Sequence, residues 1–220
     1  MMQMLYTQPL LFEAGDRMDR EEFLARWEEM PDLKRAELID GVVYLPSPVS
    51  RQHSGKEILL SFWVATYASR VAKVEALSNA TWMMEAKSAP QPDVALRIRP
   101  EFGGQSRNVD IYAGGAPELA AEVARSTRSY DLGPKLKLYE RAGVREYLAA
   151  LIEEQRLEWR VLREGRYELL PPGPAGVYRS TIFPGLWLDE AAFWANDSAA
   201  VLRVLEQGMS SPEFAAFSLG

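Results

Sequence analysis

The chain has 220 residues, 47% hydrophobic and 25% charged, the balance of an ordinary packed domain. It has no cysteine, which excludes disulfides, thiolate zinc centres and cysteine nucleophiles, and its single histidine excludes a multi-histidine metal site and weakens any serine–histidine scheme. A net charge of −6 and a pI of about 5.1 argue against coating nucleic acid through bulk charge, yet leave room for a local basic surface.

Residues 1–12 are apolar only in patches and lack a basic n-region, so they do not read as a signal peptide. The longest apolar stretches fall well short of a membrane span, so no membrane association is expected and the cytoplasm is the expected location. Residues 1–14 read as a loose part of an N-terminal arm, 1–18. Asp19, with Glu22 three residues on, forms a capping box that opens a packing helix through Phe23, Leu24, Trp27 and Met30; Pro31 ends it. Residues 36–45 predict a hairpin about Asp40-Gly41, since both central turn positions need positive φ, and Glu37 sits on its first arm. Ser50 caps a long helix running to about Arg70. Its apolar stripe is expected to be Ile58, Leu59, Phe62, Trp63 and Tyr67, and His53 lies in its first turn. A lone histidine is more often structural or solvated than catalytic.

Residues 71–77, 80–85 and 91–97 predict three strands. Residues 99–116 carry Gly103, Gly104, Gly114 and Gly115 and little regular pattern, and read as a long loop: the flank of a substrate groove, or a variable insertion. No Gly-Lys-Ser/Thr follows these glycines, so they do not form a phosphate loop. Residues 118–124 predict a strand apolar on both sides of Glu122, as in a central strand covered on both faces. A turn at Ser126-Thr127-Arg128 leads to a helix from about Tyr130 to Ala142, stopped by Gly143. Residues 144–152 predict a strand, and 156–163 with 166–170 a hairpin about Glu164-Gly165. A proline- and glycine-rich connector covers 171–176. A short extended piece (178–187) precedes a helix from about Asp189 to Gly208, with a fraying tail beyond Met209. Interspersed strands and helices predict one α/β domain with a mixed sheet over 19–188, followed by a C-terminal helix and tail over 189–220.

One constellation suggests chemistry. Asp93 heads an apolar run after Pro92, Glu122 lies alone inside another, and Lys135 follows on a helix. A charge in a buried strand is costly unless something pairs with it. Neighbouring strands can set two carboxylates side by side, a pairing that suits a hard cation such as Mg²⁺, and a lysine nearby can stabilise a phosphoryl transition state. At about 100° per residue, Leu132, Leu136 and Tyr139 share one helix face, with Lys135 on its border and Lys137 turned to solvent. Blander readings fit the same residues. Asp131 and Lys135 can form a simple i,i+4 pair worth a few tenths of a kcal/mol. Asp93 can be a turn residue after Pro92, and Glu122 a strand-edge acid reaching water. A pair of glycosidase carboxylates also fits the two acids, but leaves Lys135 without a role. Arg125, Arg128, Lys135, Lys137, Arg141 and Arg145 outnumber Asp131 and Glu140 across 123–145, which reads as a basic surface or a solvated helix face.

At these residues the sequence resembles the Uma-type restriction endonuclease domain family, within the PD-(D/E)XK nuclease superfamily. The resemblance rests on Ala36-Glu37-Leu38-Ile39-Asp40-Gly41, Pro46-Ser47-Pro48 with His53, Pro92-Asp93-Val94, and Glu122-Val123. It continues through Ser126-Thr127-Arg128, residues 131–135, Tyr139, Ala142-Gly143-Val144-Arg145-Glu146-Tyr147, and Phe183-Pro184-Gly185-Leu186. It implies a restriction-endonuclease-like core, a mixed sheet with flanking helices, extended here by a C-terminal hairpin and helix. It implies Asp93 and Glu122 as ligands of Mg²⁺ (or Mn²⁺), with the Val123 carbonyl and Glu37 as further ligands, and Lys135 as the catalytic lysine. Arg125 and Arg128 would contact nucleic-acid phosphates, and His53, Asp131 and Tyr139 would be accessory. The implied activity is phosphodiester hydrolysis of nucleic acid, DNA first, by a chain that admits a homodimer. The alternative is a non-catalytic binding or assembly module on the same fold. Two departures stand out. The superfamily's lysine two residues after the Glu is replaced by Ala124, so the family's lysine comes from the following helix. Leu148-Ala149-Ala150 stands where the family carries Trp and then Asp.

Overall fold

The computed structural model describes residues 11–125 and 128–219. Helix α1 (Arg20–Glu28) starts where the Asp19 carboxylate accepts the Glu22 N–H at 2.9 Å. Strands β1 (Glu37–Ile39) and β2 (Val42–Tyr44) pair across Asp40-Gly41, whose φ values of 51° and 79° meet the turn's requirement. The described part of the expected loose arm is packed. Phe12 stacks on Phe23 at 4.9 Å, and the Gly15 N–H donates to the Val43 carbonyl. The apolar faces of α1 and the hairpin need a cover, and residues 11–18 supply it. Residues 1–10 of that arm lie outside the described residues.

Helix α2 (Arg51–Ala68) is capped by Ser50, which accepts the His53 N–H. Its buried face is Leu59, Leu60, Trp63, Val64 and Tyr67; Ile58 and Phe62, expected inside, are 68% and 40% exposed. Leu60 and Val64 complete the i, i+3, i+4, i+7 spacing with Trp63 and Tyr67, and that row faces the sheet.

Next come β3 (Val74–Ser78), β4 (Trp82–Met83), β5 (Val94–Ile98), β6 (Arg107–Val109), β7 (Tyr112–Gly114) and β8 (Leu119–Ala124). The long loop expected over 99–116 is instead a short 3-10 turn followed by the β6–β7 hairpin, with β7 pairing parallel to β4. These strands are three residues each, and their Asp110-Ile111 turn lacks the glycine that marks a hairpin in sequence. After β8 come α3 (Arg128–Tyr130), a π-helical turn over Asp131–Lys135, and α4 (Leu136–Ala142), stopped by Gly143 at φ 88°.

The chain continues through β9 (Glu146–Leu151), β10 (Arg156–Arg163) and β11 (Arg166–Leu169). The expected single extended piece is two antiparallel strands, β12 (Val177–Arg179) and β13 (Trp187–Asp189). The expected single terminal helix is α5 (Glu190–Ala195) and α6 (Ser198–Met209), broken where Asn196 takes φ 55° and Asp197 caps anew. The segment beyond Met209 is helical rather than frayed: α7 (Pro212–Leu219) lays Phe214 on Tyr67 and Phe217 on Phe183.

Six strands form one sheet in the order β11-β10-β9-β8-β5-β3. The β8–β9 pair is parallel, joined by the α3–α4 crossover, and the other neighbours are antiparallel. On one face Leu96, Leu119, Ala121, Val123, Leu148 and Trp159 pack under α2 and the C-terminal helices; on the other, Ala120, Ala124, Tyr147 and Ala149 pack under α4. Leu148, Ala149 and Ala150 are fully buried, so the departure from the family pattern leaves β9 packed on both sides. Among the described residues no helix is long and apolar enough to cross a membrane.

Candidate functional site

The alternation of β8 decides where Glu122 goes. Leu119, Ala121 and Val123 point to α2, so Ala120, Glu122 and Ala124 point to the α4 face. The β5–β8 ladder ends at Val94↔Ala121, and continuing the register one step sets Asp93 across from Glu122. There the side chains replace ladder partners: Asp93 Oδ2 accepts the Val123 N–H at 2.8 Å, and Glu122 Oε2 lies 3.4 Å from the Asp93 nitrogen. The two strands part at this point, and a cavity of about 280 Å³ opens between them, the β1–β2 hairpin and the start of α2. Glu37, His53, Asp93, Glu122, Asp131 and Lys135 all line it.

Lys135 reaches the cavity because of the π turn. Pro134 has no N–H to give the helical ladder, and Gly133 leaves helical geometry at φ −117°, ψ −105°. The wider turn shifts the phase of the following helix. Lys135, Leu138 and Tyr139 are buried, whereas Leu132 and Leu136, expected to define the inner face, are half-buried. Lys137 is exposed, as its angular position predicted. Lys135 Nζ lies 2.7 Å from Glu122 Oε1 and 2.8 Å from Glu37 Oε1. It therefore bridges two carboxylates from distant elements, and Asp131 acts on it through space.

The surrounding groups fix these acids in place. Tyr139 Oη donates to Glu122 Oε1 at 2.8 Å, and Tyr130 Oη donates to Glu37 Oε2 at 3.1 Å. Glu37 Oε1 also accepts the Gln91 N–H. Glu37 thus serves Lys135, Tyr130 and the backbone. Val123 contributes its N–H to Asp93 and its side chain to the core.

His53 projects from the first turn of α2, with Nε2 3.7 Å from Asp93 Oδ2 and 3.6 Å from Glu57 Oε2. Glu57 was not singled out in the sequence; its signal was the i,i+4 spacing from His53 on one helix face. Arg125 lines the cavity, Arg128 does not, and the two are paired with Glu153 (2.9 Å) and Glu154 (2.7 Å) of the β9–β10 turn. Ser126 and Thr127, expected between them, lie outside the described residues.

Burial opposes charge throughout the site, and the neighbours decide each outcome. Burial alone would raise Asp93, but His53, Lys135 and the Val123 N–H hold its pKa below the usual carboxyl value. Glu122 is more deeply buried. Lys135 pulls it down, but burial with Asp93, Asp131 and Glu37 leaves it well above that value. Lys135 is raised, because Glu122 and Glu37 outweigh its own burial. Asp93 raises His53 against the burial of the imidazole. Glu37, Asp93, Glu122 and Asp131 converge on Lys135 and His53, an excess of carboxylate in a poorly solvated pocket. Hard oxygen donors with unbalanced negative charge are what a divalent cation requires, so the residues present fit such an ion.

A family model, Uma2, described as "Putative restriction endonuclease", matches residues 20–191. No curated protein matches the chain. Among solved structures, that of "a putative nuclease belonging to DUF820 from Anabaena variabilis ATCC 29413" is similar, with a TM-score of 0.61 at 14% identity. The likeness covers 78% of this chain and 97% of that one, and at this identity it is a likeness of fold.

Proposed function

Because the chain belongs to the Uma2 family of "Putative restriction endonuclease" domains, we propose that it is a metal-dependent nuclease hydrolysing phosphodiester bonds of nucleic acid, DNA first, in the cytoplasm. The observation that carries this reading is the set of buried Asp93, Glu122 and Asp131 with half-buried Glu37 around Lys135 at the parting of β5 and β8. Asp93 and Glu122, with the Val123 carbonyl, would hold Mg²⁺ or Mn²⁺. When bound, such an ion supplies Lewis acidity toward the phosphodiester and lowers the pKa of water.

The chain's own groups take the remaining tasks. The raised pKa of Lys135 keeps it an ammonium, so its task is to stabilise negative charge growing on the phosphoryl oxygens and not to remove a proton from water. Glu37 and Tyr139 are positioning residues: Glu37 holds the Lys135 ammonium, and Tyr139 holds the Glu122 carboxylate. Arg125 and Arg128 would take backbone phosphates by exchanging their surface ion pairs, which are worth at most about 1 kcal/mol each.

The test is cleavage of plasmid and single-stranded DNA with Mg²⁺ or Mn²⁺ by the wild type, Glu122→Ala and Lys135→Ala. Cleavage by the wild type that both substitutions abolish supports the assignment. Equal cleavage by all three would place the chemistry elsewhere. A wild type that cuts no nucleic acid would favour the non-catalytic binding module, which the net charge of −6 also suits.

A further inference from the structure

We propose that His53, Glu57 and Asp93 form a second divalent-cation position with mixed nitrogen and oxygen donors. It shares Asp93 with the Asp93–Glu122 position and prefers Mn²⁺ or Co²⁺ to Mg²⁺. The proposal rests on the function reading only for that shared position; its own donors stand independently.

Among the described residues these three offer ligand atoms that all lie within 4.8 Å of one another. Glu122 is not in the group, because its carboxylate is turned to Lys135 and Tyr139. The separations of 3.7 Å and 3.6 Å from His53 Nε2 are too long for hydrogen bonds. They are close to the edge of a coordination shell, since two ligands about 2.1 Å from one tetrahedral ion stand about 3.4 Å apart. A contraction of a few tenths of an ångström would bring each carboxylate into a shared shell with His53; the third pair, Glu57 and Asp93, stands within 4.8 Å.

The donors are also held from behind, as metal ligands are. Asn79 Nδ2 donates to Glu57 Oε1 at 2.7 Å, leaving Oε2 toward His53. Asn79 itself takes φ 54° at the end of β3, and its N–H reaches the carbonyls of Pro92 and Asp93. Ser78 Oγ donates to the Asp93 carbonyl. One turn therefore orients the Glu57 carboxylate and anchors the Asp93 backbone, whose carboxylate the Val123 N–H holds, while His53 and Glu57 share a face of α2 at i,i+4. Imidazole nitrogen favours the borderline transition ions, whereas Mg²⁺ keeps to oxygen and water.

The test is calorimetric titration of the full chain with MnCl₂, CoCl₂ and MgCl₂ without nucleic acid, on the wild type, His53→Ala, His53→Gln, Glu57→Gln and Glu122→Gln. Electron spin-echo spectroscopy of bound Mn²⁺ reads ¹⁴N coupling directly on the wild type. We expect two Mn²⁺ per wild-type chain, one with ¹⁴N coupling. His53 and Glu57 substitutions should lose one ion or weaken it at least about tenfold, while Glu122→Gln keeps the ¹⁴N-coupled ion. Wild-type Mn²⁺ without ¹⁴N coupling, or His53 variants that bind Mn²⁺ and Co²⁺ as the wild type does, would overturn the proposal. If only the nuclease reading is wrong, no nucleic acid is cut and Glu122→Gln leaves metal binding unchanged, but the His53-dependent ion remains.

Discussion

Replacing Lys135 with methionine keeps a side chain of similar length but removes the ammonium that faces Glu122 at 2.7 Å and Glu37 at 2.8 Å. The Lys135 and Glu122 side chains are 3% and 4% exposed, so water cannot take over the solvation. A pair of unit charges about 4 Å apart at an effective dielectric of about 20 attracts by about 4 kcal/mol. The Glu37 share is smaller, since that side chain is 17% exposed and partly screened. Removing one partner of a buried pair costs about 3–5 kcal/mol, because the remaining charge is stranded. Lys135→Met should therefore lower unfolding free energy by about 3–5 kcal/mol at neutral pH in a chelator.

The pH dependence carries a definite sign. The folded pKa of Glu122 already lies above its ordinary value of 4.5, and losing Lys135 raises it further. A carboxyl raised on folding destabilises as an anion; the penalty is absent below the unfolded pKa and grows as pH rises toward the folded one. The deficit of the variant should thus shrink as pH falls toward 4.5. Urea unfolding followed by tryptophan fluorescence measures it, together with Glu122→Gln and the double variant. The double variant should be more stable than the two single effects predict, by at least about 2 kcal/mol of coupling. Saturating Mn²⁺ should stabilise Lys135→Met more than the wild type, because the ion no longer competes with the ammonium. Additive single effects and a deficit independent of pH would refute the paired-charge account of the site.

Two further outcomes follow from the scaffold. At Gly208, in the last turn of α6, a Cβ would run into the Gly185 carbonyl and the Trp187 ring. Gly208→Ala should cost about 1–3 kcal/mol by forcing α6 off the segment it packs on, read as a lowered urea midpoint. Glu146 is raised above 4.5 because burial outweighs its hydrogen bonds from Ser180 and Thr181. Its contribution to stability is therefore most favourable below 4.5 and declines as pH rises through the folded value. Glu146→Gln, which does not ionise, should flatten that decline in urea titrations run from acid to neutral pH.

Local physics was legible before any tertiary contact. The Asp19 and Ser50 caps, the Asp40-Gly41 turn and the Gly143 stop each depend on residues within about four positions, and all formed as expected. So did the apolar run around Glu122, which marked a strand covered on both faces and made its charge conspicuous. Lys135 was separable from Lys137 by helical angle alone, although the π turn at Gly133-Pro134 shifted the residues around it.

Tertiary structure decided what those groups do. Glu37 was expected as a further ligand; the fold sets its carboxylate against Lys135 and Tyr130, the latter 93 residues away in sequence. Glu57 became visible only when α2 laid His53 and Glu57 against Asp93 at the start of β5. The β6–β7 hairpin and α7 were missed for a related reason: each is short and takes its stability from a partner elsewhere, β4 for one and the Tyr67–Phe183 surface for the other. Sequence periodicity records which face of an element is buried. It does not record which distant element covers that face, and for buried charges the identity of the neighbour sets ionisation, orientation and role.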